Sequence, residues 1–345
     1  MKDKNVNIRM IAEKVGVSVA SISRALQDPP SKNISKKLRE RILETCEEMR
    51  YYPNMHTVRM FSKRSNTVAM FAPADIIHMG PTGIVDFNLS AAIGGVEYEL
   101  SHNSMYLTLV SVSDSFIEKR EYLKFSRGKL VDGLIIWGWV STEKYIETLA
   151  NEDVPIVMIR SDEPPMPLDS VRMDEYDGMS RMVERITKAG HRKIGFIRTK
   201  LTSWAAKMRE FGFLDSAKKL GIDVVLSESG GFDYDIGLTA TEEILSRNEG
   251  VTCLVAPNDL VAFACVECVE KMGLSVPDDI SVTGADGVVF PGMRKLDTFL
   301  SPSFDMGRSA VLTLLKRISG STAALSSVVL PVKQVEGSTL APPRG

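Results

Sequence analysis

The chain has 345 residues, 44% hydrophobic and 25% charged, a length for two or three domains at about 100–200 residues each. Those proportions exclude general disorder and collagen-like structure, and four cysteines give no disulfide framework. No run approaches the ~20 apolar residues of a membrane helix, and the opening Met-Lys-Asp-Lys-Asn-Val-Asn lacks a signal-peptide apolar stretch, so a reduced cytoplasmic protein is expected. The net charge of −2 hides an asymmetry: residues 1–65 carry a balance of +7 and the other 280 residues −9. A basic head on an acidic body points to a polyanion-binding module joined to something else.

The first predicted element is a helix over 8–15, where Ile8, Ile11, Ala12 and Val15 share one face and Asn7 can cap the start. Gly16 stops it, because glycine enters the left-handed conformation cheaply. Ser18 can cap a second helix, Val19–Leu26, with Ile22 and Leu26 inward and Ala25 at a close contact. Two short helices around a tight Gly-containing turn make a helix-turn-helix. A third helix over Lys36–Met49 follows Ser35, with Leu38, Ile42, Cys46 and Met49 at helical spacing. The second helix suits recognition. Its first turn (Ser18, Val19, Ala20, Ser21) is small enough to enter a major groove, and Arg24 reaches for a base edge or phosphate. Ser21 and Ser23 can donate to phosphates.

Here the sequence resembles a known family. Ala12-Glu-Lys-Val-Gly-Val-Ser-Val-Ala-Ser-Ile-Ser-Arg-Ala-Leu26 is similar to the helix-turn-helix of the lactose-repressor (LacI/GalR) family, and Tyr51-Tyr-Pro-Asn54 resembles its hinge-opening motif. The resemblance implies that Val19 and Ala20 are the base-reading pair and Arg24 the shared base-contacting arginine. It also implies that 54–65 form a hinge helix, with Asn54 opening it and Met60 wedging the minor groove where relatives mostly carry leucine. The head departs from the family pattern twice. Met10 replaces an acidic residue near the start of the first helix, and the loop Gln27–Asn33 is about two residues longer than usual.

From Thr67 onward apolar runs alternate with helical stretches. Strands are predicted at Val68–Phe71, Met105–Val112, Gly133–Trp137, Ile156–Ile159, Lys193–Ile197, Asp223–Leu226, Thr252–Ala256 and Ile280–Thr283. Helices are predicted between them, at Ser90–Ser101, Tyr176–Ala189, Trp204–Leu220, Ile236–Arg247, Leu260–Met272 and Met306–Ile318. Such alternation argues parallel α/β sheets in two lobes, with ligands beyond the carboxyl ends of the strands. The expected fold is a small all-α helix-turn-helix head plus an α/β two-lobed, doubly wound body, which the resemblance implies is periplasmic-binding-protein-like. The domain ranges are 1–50 head, 51–65 hinge and 66–345 body. By the resemblance the N-lobe covers about 66–160 and 299–321, and the C-lobe about 161–298 and 322–340.

The resemblance continues through Val131-Asp-Gly-Leu-Ile135, Ala189-Gly-His-Arg-Lys-Ile194, Arg209-Glu-Phe-Gly-Phe213, Pro257-Asn-Asp259, Val276–Gly284 and Asp286. It implies that Arg209, Asn258 and Asp286 line a cleft and hydrogen-bond effector oxygens, with Phe232 as an aromatic lid. The residue types fit: a donor fork, a donor–acceptor amide and a hydroxyl-accepting carboxylate. Trp139 and Trp204 are candidates for apolar faces against a sugar ring. Many relatives carry Asp at the position of Arg160, at the end of a predicted strand. Two guanidinium groups near one cleft, Arg160 and Arg209, repel unless an anion sits between them, which suggests an acidic effector such as a sugar acid or sugar phosphate, with a neutral sugar next; the alternative is that Arg160 turns away and pairs with Asp162, Glu163 or another acid.

Enzyme signatures do not emerge. There is no Gly-x-Gly-x-x-Gly after a strand and no P-loop, and the four histidines form no metal-ligand spacing. Cys265-Val-Glu-Cys268 lies on a predicted buried helix with no second pair. No catalytic residue, metal or cofactor is expected. The expected partners are a palindromic double-stranded DNA operator, a small-molecule effector and a second copy of the chain in a homodimer, with no membrane. The end at Pro-Pro-Arg-Gly345 shows no heptad helix, so a tetramer of the lactose-repressor kind is not expected. The alternatives are a sugar-binding protein or a sugar-modifying enzyme without a DNA-regulatory role.

Overall fold

The computed structural model describes residues 6–26, 34–53, 64–77, 86–138, 144–160, 168–199, 203–289, 292 and 294–344. The chain divides into two compact units, Met1–Ser65 and Asn66–Gly345.

The first unit contains α1 (Ile8–Val15), α2 (Val19–Ala25) and α3 (Lys36–Glu48). Each helix start is capped by a short polar side chain that accepts orphan N–H groups. Asn7 Oδ1 accepts from Arg9 N and Met10 N, Ser18 Oγ from Ser21 N, and Ser35 Oγ from Leu38 N. Gly16 ends α1 at φ +74°, where a side chain would be strained. Ile11, Val15, Ile22, Ala25 and Ile42 bury the shared core. Two of the head's cations donate to helix ends: Arg39 Nε to Ala25 O at the end of α2, and Arg41 Nη2 to Val15 O at the end of α1.

The second unit begins with β1 (Thr67–Pro73), α4 (Ala74–Ile77), α5 (Phe87–His102), β2 (Tyr106–Val112), α6 (Asp114–Glu118) and α7 (Leu123–Ser126). It continues with β3 (Gly133–Trp137), α8 (Lys144–Ala150), β4 (Ile156–Ile159), β5 (Asp169–Met173) and α9 (Glu175–Lys188). Then come β6 (Lys193–Arg198), α10 (Trp204–Lys219), β7 (Asp223–Gly230), α11 (Tyr234–Ser246), β8 (Cys253–Val255), α12 (Asp259–Lys271) and β9 (Ser281–Thr283). The chain closes with β10 (Thr298–Leu300), α13 (Ser303–Ile318), β11 (Ser327–Leu330) and β12 (Lys333–Val335).

The strands form two parallel sheets, β11-β5-β4-β3-β1-β2 and β7-β6-β8-β9, with an antiparallel β10–β12 pair. Parallel strands are buried on both faces, so they read as continuous apolar runs. In β1, Val68, Met70 and Ala72 enter one core, while Ala69 and Phe71 enter the core on the other face. Against the first sheet, α5 and α13 cross so closely that a Cβ on Gly95 would lie 1.9 Å from Phe304 O, and one on Gly307 2.2 Å from Ala92 O.

The expected lobe ranges need correction. The first sheet contains β5 and β11, which lie outside the ranges 66–160 and 299–321. The reason is tertiary. Asp169 in β5 is gripped by Arg317 of α13 at 2.7 and 2.9 Å and accepts from Ser326 N at 2.8 Å, and β11 pairs in register with β5. The chain therefore leaves the first lobe after Met173, re-enters through β10 and α13, and leaves again after Leu330. An Asp and an Arg inside the five residues of β5 hid that strand from a reading of apolar runs.

Candidate functional site

In the head, the first turn of α2 presents Ser18, Val19 and Ala20 to solvent, with Val19 40% exposed, and Arg24 is exposed one and a half turns on. The inward face is Ile22 and Ala25, so helical spacing leaves the expected base-reading residues on one free surface. Ser21 and Ser23 are half-buried, and the Ser21 hydroxyl is 3.0 Å from the capping Ser18 hydroxyl. Among the described residues Arg24 has no ion pair. Asn54 and Met60 lie outside the described residues.

In the body, a cleft of about 390 Å³ opens between the two sheets. Its walls lie beyond the carboxyl ends of parallel strands, where such folds hold ligands. From the first lobe come Asp75 after β1, Asp86 and Phe87 at the start of α5, Trp137 at the end of β3, and Arg160 after β4. From the second come Arg209 on α10, Phe232 and Asp233 after β7, Asn258 after β8, and Asp286 after β9.

Arg209, Asn258, Asp286, Phe232 and Arg160 are thus brought together. Arg209 donates from Nε to Glu175 Oε2 at 2.6 Å, from Nη1 to Pro257 O at 2.6 Å and from Nη2 to Asp286 Oδ1 at 2.7 Å. Burial alone would push its guanidinium down, but Asp286 and Glu175 outweigh it and hold it fully charged. Asn258 caps α12 by accepting from Val261 N at 2.8 Å, and its Nδ2 donates to Phe232 O at 3.1 Å, holding the loop that carries the aromatic ring. Arg160 at φ +61° and Asp286 at φ +117° both sit in the left-handed region, a strain of about 1–3 kcal/mol each for ordinary residues. Backbone bonds pin them there: Arg160 N donates to Val171 O and Asp286 N to Phe299 O, both at 2.9 Å.

Two expectations change. The anion that the two arginines require is Glu175, whose Oε1 accepts from Arg160 Nη2 at 2.7 Å while Oε2 holds Arg209. The inference from paired guanidinium groups to an acidic effector loses its ground, because the chain supplies the counter-ion. Trp204 is not among the cleft-lining residues. Ala205 and Arg209 share a helical face at i and i+4, and Trp204 stands one position off it. Trp139 lies outside the described residues. The aromatic wall is Trp137, with the Arg160 guanidinium carbon 5.6 Å from its ring centre.

Sequence reasoning missed Glu175, Trp137 and Asp86. Trp137 was legible as the last residue of a predicted strand. Asp86 was hidden because the helix was expected from Ser90, whereas Asp86 itself caps it by accepting from Leu89 N at 3.0 Å. Glu175 follows the unpredicted β5, and only the charge argument about Arg160 and Arg209 signalled that an acid was due.

Beneath the cleft, Asp259 is fully buried and accepts from Thr298 Oγ1 at 2.7 Å and Val288 N at 2.6 Å. Burial, with Asp286 adding to it, pushes its carboxyl up to about 8. Cys265 and Cys268 are buried on α12, and burial pushes both thiols up. Among the described residues no group of three or more His, Cys, Asp or Glu could hold a metal ion, and no helix is long and apolar enough to cross a membrane.

Known proteins decide the lineage. Residues 7–54 match the bacterial regulatory proteins of the lacI family, and residues 183–340 match the periplasmic binding protein-like domain. The chain belongs to the lacI family. The HTH-type transcriptional regulator DegA of Bacillus subtilis is 26% identical over 339 residues, spanning 96% of this chain and 97% of its own. The lac repressor dimer bound to operator and the anti-inducer ONPF shares the fold with a TM-score of 0.83 at 22% identity, covering 98% of this chain and 100% of that one. A LacI family transcriptional regulator of Enterococcus faecium with bound ribose aligns at a TM-score of 0.68 and 24% identity, over 80% of this chain and 99% of that one. This lacI-family chain is a DNA-binding transcriptional regulator, and its relatives are named as regulators and not as enzymes.

Proposed function

We propose that the chain acts in the cytoplasm as a homodimeric repressor of a palindromic operator, with its DNA affinity controlled by a sugar-like small molecule in the cleft. Two copies of the head present two equivalent recognition helices, which suit inverted half-sites. Ser18, Val19, Ala20 and Arg24 read the major groove, Ser21 and Ser23 add phosphate contacts, and Asn54 and Met60 belong to the hinge. In the body, Arg209, Asn258, Asp286 and Phe232 face the ligand, with Trp137 as an apolar wall and Arg160 beside it.

The observation that carries the reading is the cleft itself: donors, acceptors and an aromatic ring converge beyond strand ends on a chain whose other unit is a helix-turn-helix. A pocket lined by Asp, Asn and Trp suits a polyhydroxylated ring, with carboxylate acceptors for hydroxyls and a flat face for C–H groups. The ribose bound in the Enterococcus faecium regulator supports the same ligand class on this fold. Ligand closure of the two lobes would reach DNA through the hinge by favouring one lobe arrangement over the other.

The test is selection of bound duplexes from a random pool by the full chain, followed by affinity measurements with a mixture of neutral sugars present or absent. The reading expects an inverted repeat whose affinity changes with the mixture. Asymmetric sites would contradict the dimer, and affinity unmoved by every sugar would contradict the effector class.

A further inference from the structure

The cleft contains two arginines, and each already has a carboxylate of the chain as its partner. Arg209 donates from all three of its nitrogens within the chain, and its side chain is 2% exposed. Arg160 is 11% exposed and donates to the same carboxylate, that of Glu175, itself 2% exposed. One carboxylate thus serves two guanidinium groups, one oxygen to each, at 2.6 and 2.7 Å. A bidentate grip on a ligand carboxylate or phosphate needs two N–H groups along one guanidinium edge. An anion at Arg209 would have to displace Glu175 or Asp286 and leave that carboxylate buried without its partner, a strongly unfavourable exchange, and one at Arg160 would sit beside the Glu175 and Asp86 carboxylates.

The remaining charge in the lining has the same sign. Asp75, Asp86 and Asp233 border the cleft, and among the described residues none of the three is ion-paired. Burial pushes the Asp86 carboxyl up, Arg160 offsets only part of that, and Asp286 adds to it. A further negative charge beside Asp86 would raise this cost.

We propose that Glu175 sets the charge of the ligand: as the built-in counter-ion of Arg160 and Arg209, it restricts the cleft to molecules without negative charge, such as neutral or amine-bearing sugars. The inference rests on the reading of the cleft as the ligand site. Removing the charge of Glu175 leaves two neighbouring guanidinium groups with Asp286 on Arg209 and only the Asp86 charge near Arg160, and opens a place for an anion.

The experiment is titration calorimetry of the full chain and of its Glu175→Gln and Glu175→Asp variants. The probes are ribose, glucose, glucosamine, gluconate, glucose 6-phosphate and inorganic phosphate. The wild-type chain should show no binding of the three anions. Glu175→Gln should bind at least one of them tenfold or more tightly than wild type does, and Glu175→Asp, which keeps the charge, should still reject them. Arg160→Gln, which leaves Glu175 on Arg209, should also reject them; this arm and the wild-type arm hold even if Glu175→Gln does not fold. Wild-type preference for gluconate or glucose 6-phosphate over glucose overturns the proposal, and so does a folded Glu175→Gln that gains no anion. If wild type binds a neutral or amine-bearing sugar and the variant gains no anion, this inference falls and the ligand site stands. If no probe binds any of the proteins, both fall.

Discussion

Arg24 carries the most direct consequence of any single side chain in the head. It is exposed on the same helix as Val19 and Ala20, with no ion pair among the described residues to hold it elsewhere. If it makes a bidentate base contact, Arg24→Ala should weaken specific binding by ~1–3 kcal/mol while leaving non-specific binding nearly unchanged. Fluorescence anisotropy on specific and scrambled duplexes measures both. His191 makes a second residue-scale prediction. It is fully buried, with Nδ1 2.8 Å from Thr252 Oγ1 and Nε2 2.8 Å from Ala341 O. Burial holds the imidazole below its ordinary value, outweighing the Ala341 carbonyl, which favours the charged form. A histidine depressed in the fold binds protons more readily when unfolded, so its contribution is intact above about pH 6.5 and is lost as the pH falls through that value. Urea midpoints should drop between pH 7.5 and 5.5, and drop less for His191→Gln. Equal drops would contradict this role. The cleft residues legible in the sequence were those with a family motif around them: Arg209, Asn258 and Asp286. Glu175 was not legible by itself, because an acid in the first turn of a helix is ordinary and only its two distant partners give it meaning.

Among the elements, the crossing of α5 and α13 is set by glycine. Gly95 and Gly307 let each helix backbone approach the other, with Phe304 O and Ala92 O where side chains would stand. Gly95→Ala should force the helices apart and cost about 1–3 kcal/mol, read as a lower urea midpoint with an unchanged slope. The elements found from sequence were those with strong periodicity or continuous apolar runs. The core segments of β1, β3, β4, β6 and β8, and α1 to α3, fall where predicted to within a residue or two. Three of the missed strands share a physical cause. The short strands β5, β11 and β12 carry Asp, Arg, Ser, Lys and Gln, and partners distant in sequence hold them: Arg317 on Asp169, and Arg185 on Gln334 at 3.2 Å. Such strands exist through tertiary bonds, which no local pattern displays.

For the whole molecule, charge asymmetry is the feature that links sequence to function most plainly. The +7 balance of residues 1–65 predicts that DNA affinity falls steeply with salt, through release of condensed counterions. Arg39 and Arg41 close helix ends, so the slope should reflect fewer contacts per head than the lysine and arginine count suggests. The two-unit division and the doubly wound body were legible from charge balance and strand–helix alternation. The lobe boundaries were not, since they depend on which sheet each short strand joins.

The central claim is that one chain reads DNA with its head and answers a small molecule with its body. Operator affinity of the full chain, measured on its selected duplex while neutral sugars are titrated in, tests both halves at once. The account predicts a tight, salt-sensitive complex on an inverted repeat whose affinity shifts tenfold or more on saturation with one such sugar, and loses that shift in Asp286→Ala. A complex indifferent to every sugar, or a shift that survives Asp286→Ala unchanged, would contradict it.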